Sequence, residues 1–422
     1  MVHPSRNGVY LQVELRPPES GGMPGSGVSG KTILLSWEAI WMKVLIAIDS
    51  FKGCMSSKEA GRACAEGIWR ARPRAETVVM PMADGGEGTM DAIVEGLKGE
   101  YVECRTAGPY GSEVTARYGV VNKRKAAVIE AAQATGLVLV ERLGLGIGLN
   151  PWKATTRGVG QMILHAAERG CRDFVIGTGG SAATEGGIGM LEALGCAFYG
   201  ADGQRLPAEL ASLAKIGRID RSGMAGVLQE CYFRIACDVK NPLCGKNGAV
   251  NVFGAQRGVK AEEKGFLDAA MFHFADKTLE CTGKDYRGRA GSGAAGGLGF
   301  AFMSYLPHVE LVSGVDLMLQ TIGLEKKLKG ADIVVTGEGR LDAQTVLGKV
   351  PLGVARLAKK HRLKVIAFAG TVSEDAWICN EAGIDAFFPI VRESTSLDAA
   401  MDPGNAKRNM TMAAEQVFRL LS

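Results

Sequence analysis

Several short stretches of this sequence contain glycines, carboxylates or lysines, the residue types that handle phosphates. They are "DSFKG" at 49–53, "DGGEGT" at 84–89, "GTGGS" at 177–181, "CDVKN" at 237–241, "GEGRLD" at 337–342 and "GK" at 348–349. Adjacent glycine amides that precede a helix form a nest for anions. Carboxylates beside such a nest would repel a bare phosphate, so they indicate Mg²⁺ between the two. A nearby lysine can neutralise charge on a transferring phosphoryl group, and the stretches together predict phosphoryl transfer.

The elements that must position these residues follow a regular alternation. The apolar run "KVLIAIDS" at 43–50 predicts a buried parallel strand, and the spacing of small and apolar residues over 56–71 predicts a helix with a serine cap. A second strand is predicted from residue 77, and "TMDAIVEGL" at 89–97 predicts another helix. Strands alternating with helices indicate a doubly wound α/β domain, in which ligands bind beyond the carboxyl ends of the strands.

The middle of the chain has a different pattern. Short alternating strands separated by turn residues over 100–132 predict a β-meander. The α/β alternation resumes after residue 299, with apolar strands at 331–339, 364–370 and 385–390. We therefore predict a discontinuous α/β domain from 42–98 and 295–422, with a second α/β domain, 99–294, inserted in it.

Composition excludes several classes of protein. A chain of 422 residues with 46% hydrophobic and 22% charged residues is typical of a soluble globular protein of two domains or more. The net charge of +4 is spread over scattered lysines and arginines, so no nucleic-acid surface is predicted. No apolar run reaches the roughly 20 residues needed to span a membrane. The ten cysteines contain no CxxC pair, which favours reduced thiols in a cytoplasmic protein over zinc or disulfides.

Six motifs of this chain resemble those of bacterial glycerate kinases of the first type. They occur in the family's order: "IAIDSFKGCMSS", "PMADGGEGT", "GTGGSAATEGG", "ACDVKNPL", "GSGAAGGLG" and "TGEGRLDAQTVLGK". The resemblance extends from Met42 to the C-terminus. It implies Mg²⁺-dependent transfer of the γ-phosphoryl group of ATP to a hydroxyl of D-glycerate, giving 2- or 3-phosphoglycerate. It also implies a flavodoxin-like doubly wound parallel-sheet domain formed by both chain ends, with an inserted second α/β domain.

Roles for individual residues follow from the motifs and the resemblance together. The predicted catalytic residues are Lys52, which would contact a transferring phosphate or the glycerate carboxylate, and Asp49 or Asp238, which would accept the hydroxyl proton. The residues predicted to bind ATP or substrate are Ser50, Gly85, Gly86, Gly179, Gly180, Ser181, Thr184, Asn241, Arg340 and Lys349. The carboxylates predicted to face Mg²⁺ are Asp84, Glu87, Glu185, Glu338 and Asp342.

One loop departs from the family pattern. The family usually has Gly-Gly-Ser-Ala-Thr-Asn-Asp-Gly-Gly, whereas this chain has Ala183, Thr184 and Glu185 in place of Thr-Asn-Asp. Glu185 keeps the carboxylate but is one methylene longer than aspartate. If this acid positions Mg²⁺ or substrate, the added length alters the geometry of the site.

Alternatives stay open at this point. The chain could be a kinase of another small hydroxy acid or sugar acid, or a non-catalytic small-molecule sensor on the same fold. Asp49 could cap the helix that follows it, and Arg340 could pair with Asp342 or Glu338 without touching a ligand. The predicted partners are ATP and D-glycerate, with no nucleic acid and no membrane, and a homo-oligomer is compatible with the sequence.

A further phosphate-binding pattern lies near the N-terminus. "GSGVSGKT" at residues 25–32 matches a P-loop at every fixed position. A P-loop follows its strand directly, but prolines separate this pattern from the preceding strand-like run, and the next strand begins too soon after it. We interpret residues 1–41 as a disordered extension and Met42 as the functional beginning of the protein.

Overall fold

The computed structural model describes residues 42–123, 125–145 and 149–421. The P-loop pattern at 25–32 and the predicted extension at 1–41 lie outside the described residues. The strands are β1 (Lys43–Ile48), β2 (Glu76–Val79), β3 (Glu100–Ala107), β4 (Glu113–Val121), β5 (Ala126–Glu130), β6 (Asp173–Gly177), β7 (Ala197–Gly200), β8 (Arg205–Leu206), β9 (Ile216–Asp220), β10 (Tyr232–Ala236), β11 (Val309–Val312), β12 (Ile333–Leu341), β13 (Lys364–Val372) and β14 (Ala386–Pro389).

Helices connect most of these strands. They are α1 (Ser57–Ala71), α2 (Thr89–Leu97), α3 (Ala132–Thr135), α4 (Leu137–Arg142), α5 (Arg157–Glu168), α6 (Ile188–Ala193), α7 (Ala249–Phe253), α8 (Lys264–Thr282), α9 (Leu298–Tyr305), α10 (Gly314–Thr321), α11 (Leu324–Lys327), α12 (Val350–Lys360), α13 (Ile378–Glu381), α14 (Leu397–Met401) and α15 (Pro403–Leu420). None of the helices in the described part of the chain combines the length and the hydropathy needed to cross a membrane.

A five-stranded parallel sheet joins the two ends of the described chain. Its strand order is β14-β13-β12-β1-β2, and every neighbouring pair is parallel. The first and last segments of the chain supply its strands, so the carboxyl ends of β1, β2 and β12 lie at one edge. The strand β2 ends at Val79, although the N–H groups of Met80 and Met82 still donate to the carbonyls of Ile46 and Ile48 in β1.

A six-stranded mixed sheet is formed by the middle of the chain. Its order is β11-β10-β6-β5-β4-β3. The β3–β4 and β4–β5 pairs are antiparallel, and the remaining pairs are parallel. The predicted meander is therefore present, and it continues into a parallel sheet. A small antiparallel sheet, β8-β7-β9, follows β6 along the chain. The prediction of a mixed α/β fold with parallel sheets is confirmed, whereas the domain limits at 98 and 295 stay predictions.

One apolar core extends from the five-stranded sheet to the six-stranded sheet. Leu45 of β1, Ile93 of α2, Leu317 of α10, and Val128 and Val175 of β5 and β6 belong to the same buried cluster. The helices between the sheets thus bury apolar side chains on both sides, at roughly 25 cal/mol per Å² of apolar surface removed from water. This shared core fixes the position of one sheet relative to the other.

Candidate active site

A cavity of about 410 Å³ lies at the carboxyl ends of the five-stranded sheet. The loops after β1 and β2, the carboxyl end of β12 and the loop after β12 supply its charged residues, as the strand-end rule predicts. Those predicted site residues are Asp49, Ser50, Lys52, Asp84, Glu338, Arg340 and Lys349. Residues that are almost three hundred positions apart in the sequence therefore line one cavity.

Asp49, like Glu338, is a buried acid of this cavity. Its side chain is 8% exposed, and its Oδ1 accepts a hydrogen bond from the backbone N–H of Ser50 at 2.6 Å. Burial, reinforced by the negative charge of Asp84, raises the pKa of Asp49 to about 7, although the Ser50 N–H and Lys52 oppose the rise. Asp49 does not cap α1, because Ser56 is the N-cap and forms a capping box with Glu59.

Lys52 and Asp84 form an ion pair across the mouth of the cavity. The Lys52 ammonium lies 3.7 Å from Asp84 Oδ2, and its side chain is 80% exposed, so the contact is weak and easily exchanged for a ligand. The other oxygen of Asp84 accepts a hydrogen bond from the N–H of Gly86 at 3.1 Å. The glycine turn therefore orients the carboxylate toward the cavity.

The carboxyl end of β12 supplies a second group of charges. Thr345 donates its hydroxyl to Glu338 Oε1 at 2.6 Å, and Lys349 Nζ lies 3.5 Å from Glu338 Oε2. Arg340 Nε lies 3.3 Å from Asp342 Oδ2, which is the pairing left open by the sequence. Burial raises the pKa of Glu338, and the Thr345 hydroxyl and Lys349 oppose the rise. This group holds two cations against two carboxylates at the edge of the cavity.

The glycine turn after β2 also contacts the six-stranded sheet. A Cβ on Gly314, the first residue of α10, would lie 1.9 Å from the carbonyl oxygen of Asp84, so only glycine fits there. The N–H of Gly314 donates to Asp238 Oδ1 at 2.9 Å. Burial raises the pKa of Asp238, and the charge of Asp84 raises it further. Asp84 is thus coupled electrostatically to Asp49 on one side and to Asp238 on the other.

The predicted glycine loop after β6 lies beside the same turn. A Cβ on Gly179 would lie 3.2 Å from the Cα of Gly86, which brings the two glycine turns into contact. Gly180 has a positive φ of 72°, and Ser181 is buried and accepts the N–H of Ala183 on its hydroxyl. The loop backbone is therefore closely packed on the turn that carries Asp84.

Two further residues that were predicted to bind ATP or substrate lie outside the cavity that contains Asp49. Thr184 is completely buried, and its hydroxyl has no hydrogen-bond partner among the described residues. Asn241 donates its side-chain amide to the carbonyl of Asn247 at 2.9 Å. The structure thus brings neither side chain into the cavity that contains Asp49, and their ligand roles stay predictions.

Glu185 has the environment of a structural residue. It has no exposed surface, and its Oε1 accepts hydrogen bonds from the N–H of Thr156 at 2.8 Å and from the Thr156 hydroxyl at 2.5 Å. The N–H groups of Gly187 and Gly189 donate to the same carboxylate at 2.9 and 3.2 Å. Burial raises the pKa of Glu185, and these hydrogen bonds oppose the rise. The carboxylate ties the loop to the starts of α5 and α6, and this geometry gives its predicted metal role no support.

Glu87 lies on the outer side of the turn. Its side chain is exposed and lines a neighbouring, shallower cavity together with Ser50, Lys52 and Ser56. Ser50 and Lys52 line both cavities. The structure does not bring Glu87 into the cavity of Asp49 and Asp84.

Comparison with known proteins identifies the family of this chain. A model of the family described as "Glycerate kinase family" matches residues 44–422. The chain is 41% identical over 381 residues to a glycerate kinase of Haemophilus influenzae, which covers 90% of this chain and 99% of the relative. It is 39% identical over 359 residues to a glycerate 2-kinase of Escherichia coli K12, with 85% and 93% covered. The chain belongs to the glycerate kinase family.

A solved structure confirms the fold of this family member. The crystal structure of a candidate glycerate kinase 2 from Salmonella typhimurium LT2 superposes with a TM-score of 0.82 at 38% identity, covering 90% of this chain and 98% of that one. The prediction that the chain is a kinase of this family is thereby confirmed. Assignment to its first type stays a prediction.

Sequence reasoning missed one buried carboxylate of this glycerate kinase family member. Glu130 ends β5, is 4% exposed, and accepts the N–H of Met90 in the first turn of α2 at 2.9 Å. Burial raises the pKa of Glu130 to about 7, although the N–H groups of Met90 and Gly88 oppose the rise. It anchors the turn that carries Asp84 and Glu87. The strand-end rule would have identified it, because Glu130 is the last residue of its strand.

The donor set fits a magnesium ion that completes its shell with water and phosphate. In the part of the chain that the structure describes, no three carboxylate, histidine or cysteine side chains cluster closely enough to hold a metal ion by themselves. Mg²⁺ in kinases is bound by one or two carboxylates plus substrate phosphates. Asp84 and Glu338 line the cavity and both raise the pKa of Asp49 through their negative charges. A divalent cation there would relieve that repulsion.

Proposed function

We propose that the chain transfers the γ-phosphoryl group of ATP to the 2-hydroxyl of D-glycerate with Mg²⁺, giving 2-phosphoglycerate. The observation that carries the proposal is the cavity at the strand ends, where the buried carboxylate of Asp49 lies beside the Lys52–Asp84 pair. The family supports glycerate as the acceptor. The Escherichia coli relative, a glycerate 2-kinase, supports the 2-hydroxyl.

Asp49 is the base in this proposal. A general base is most effective when its pKa is close to the working pH, and burial brings the pKa of Asp49 to about 7. One of its oxygens accepts the Ser50 N–H, which leaves the other able to receive the proton of the substrate hydroxyl. Asp238 has a raised pKa as well, but it is not among the residues that line the cavity. Geometry therefore favours Asp49 over Asp238.

Cations around the cavity hold the anionic groups. Lys52, Arg340 and Lys349 line it, and each is paired with a carboxylate at its edge. Their side chains are 80%, 68% and 37% exposed, so all three can turn toward a phosphate or a carboxylate without a large desolvation cost. Stabilising charge on the transferring group is most of what phosphoryl transfer requires of a protein.

Asp84 and Glu338 would hold the magnesium ion. When bound, the ion neutralises charge on the phosphate oxygens. Gly86 keeps Asp84 oriented through its N–H, and Thr345 does the same for Glu338 through its hydroxyl. The amides of the turns around Gly86 and Gly179 supply further hydrogen-bond donors for phosphate oxygens. A cytoplasmic location is part of the proposal and agrees with the ten cysteines being free thiols.

An assay of the product tests this function. Purified protein is incubated with ATP, Mg²⁺ and D-glycerate, ADP formation is followed, and the product is identified by phosphorus NMR. We expect ADP formation that requires both D-glycerate and Mg²⁺, and the resonance of 2-phosphoglycerate. Tartronate and several sugars serve as acceptor controls. Turnover with one of these and none with glycerate would reject the proposed acceptor, and the resonance of 3-phosphoglycerate would reject the proposed position.

A further inference from the structure

The cavity has a second, apolar end that the phosphoryl-transfer chemistry does not use. Its charged residues follow β1 and β2, or lie at the carboxyl end of β12 and in the loop after it. The other side is formed by β13, the segment after β14, α14 and α15. That second side is lined by Ile390, Val391, Leu397 and Met401. Polarity therefore changes across one continuous cavity, from cations and carboxylates to branched and thioether side chains.

Two of these apolar side chains are left in water. Leu397 is 76% exposed and Met401 is 37% exposed, whereas Ile390 at the floor of the cavity is 3% exposed. Folding does not benefit from large apolar groups that stay exposed at the rim of a cavity. Covering them with an apolar ligand would remove this surface from water, which is favourable.

We propose that this apolar end binds the heterocyclic base of the nucleoside triphosphate. The inference rests on the proposed function, which places the phosphates at the charged end near Lys52, Arg340 and Lys349. The volume of about 410 Å³ lies within the roughly 300–1,000 Å³ of small-molecule sites. Asn409 and Thr371 line the same side and offer an amide and a hydroxyl to the polar edge of a base.

The acceptor does not suit this end. Glycerate is a small acid with two hydroxyls, and apolar surroundings would leave its polar groups without hydrogen bonds, which is unfavourable. A planar base presents two apolar faces and a polar edge, which matches the lining. Charge complementarity therefore places the phosphates and glycerate at the charged end of the cavity and the base at its apolar end.

The helix α14 links the two ends. The carbonyl of Ala400 lies 4.0 Å from Cys54 Sγ, and a Cβ on Gly53 would lie 3.1 Å from Met401 Cε. The helix is thus packed on the turn that carries Lys52. A nucleotide whose base contacts α14 and whose phosphate contacts Lys52 would therefore bind to two elements that are packed against each other.

Calorimetric titration of the full chain with ADP and with pyrophosphate tests the inference without requiring turnover. Ala400→Trp fills the apolar end, and Leu397→Asn replaces an exposed apolar side chain by a polar one of similar size. Leu420→Asn is the matched control, because Leu420 is 81% exposed and does not line the cavity. We expect Ala400→Trp to weaken ADP binding roughly tenfold or more, and Leu397→Asn to weaken it severalfold. Pyrophosphate binding should stay within about twofold in all variants.

Each result of these titrations either supports or overturns the proposed base site. Wild-type protein that binds ADP no more tightly than pyrophosphate, or variants that bind ADP as the wild type does, would overturn it. Equal loss of ADP and pyrophosphate binding in Leu397→Asn would also overturn it, because the effect would then lie at the phosphate end. Selective loss of ADP binding in a protein that does not phosphorylate glycerate would support the base site and reject the proposed function.

Discussion

Asp49 and Glu185 are both buried acids, yet they have different surroundings. Glu185 is surrounded by hydrogen-bond donors of the protein itself, whereas Asp49 lies in a cavity beside Asp84 and Lys52. A carboxylate with satisfied oxygens holds structure, and one that faces a cavity can exchange a proton. We therefore expect Asp49 and Glu185 to respond differently to substitution.

Substitution of Asp49 should change the pH dependence of both activity and stability. Its pKa is about 7 in the folded state against 3.8 for an ordinary aspartate. Between these values the folded protein holds a proton that the unfolded chain has released, so the free energy of unfolding falls as pH rises toward 7. Asp49→Asn should remove this part of the slope, which urea unfolding at pH values below and above 7 would measure. Glu130 contributes a similar slope, and it remains in the variant as an internal reference.

The activity of the wild type should rise through the same range. If Asp49 accepts the substrate proton, kcat increases as its carboxylate forms near pH 7. A rate that is independent of pH there, together with an unchanged unfolding slope in Asp49→Asn, would contradict this assignment.

Substitution of Glu185 should affect stability first. Glu185→Ala leaves the N–H groups of Thr156, Gly187 and Gly189 buried without an acceptor. We expect a loss of more than about 3 kcal/mol in the free energy of unfolding, measured by denaturant titration. Glu87→Ala, at an exposed carboxylate, should change it by no more than about 0.5 kcal/mol. Normal stability of Glu185→Ala with a raised Mg²⁺ requirement would restore the metal role.

At the scale of elements, the site depends on how closely the turn after β2 packs on the start of α10. Gly314→Ala places a methyl group 1.9 Å from the Asp84 carbonyl, so the turn and its carboxylate must shift. A displacement of this size can cost about 10²-fold in rate. Gly265→Ala is the matched control, because its Cβ would meet open space on α8. Steady-state kinetics of both variants measures the difference, and equal kcat values would show that this contact does not position Asp84.

Helices and strands of this fold could be predicted where the apolar residues of a single segment repeat with a helical or a strand period. The helix predicted at 89–97 is α2 with the same limits, and the strands at 43–50, 364–370 and 385–390 differ from β1, β13 and β14 by a few residues. The strand-end rule also placed Asp49, Asp84 and Glu338 in one cavity. Convergence of side chains is set by packing between distant elements, so the burial of Glu185 and the anchoring role of Glu130 did not follow from spacing.

At the scale of the whole molecule, the apolar core shared by the two sheets predicts cooperative unfolding. Leu45 of β1 and Val175 of β6 belong to one buried cluster, so neither sheet can lose its packing alone. We expect a single calorimetric transition that includes both sheets, and Val175→Ala should lower its midpoint without splitting it. Leu420→Asn, at an exposed position, is the control. Two resolved transitions would show that the sheets unfold independently.

The most direct test of the central claim is the rate of glycerate-dependent ADP formation by the wild type and by Asp84→Asn. Asp84 is 39% exposed and isosteric with asparagine, so the variant should keep the wild-type melting temperature. We predict that the wild type phosphorylates D-glycerate and that Asp84→Asn loses about 10²-fold or more in kcat, because a carboxylate that would hold Mg²⁺ against the phosphates is gone. Turnover by Asp84→Asn close to that of the wild type, at equal stability, would contradict the assignment of this cavity as the active site.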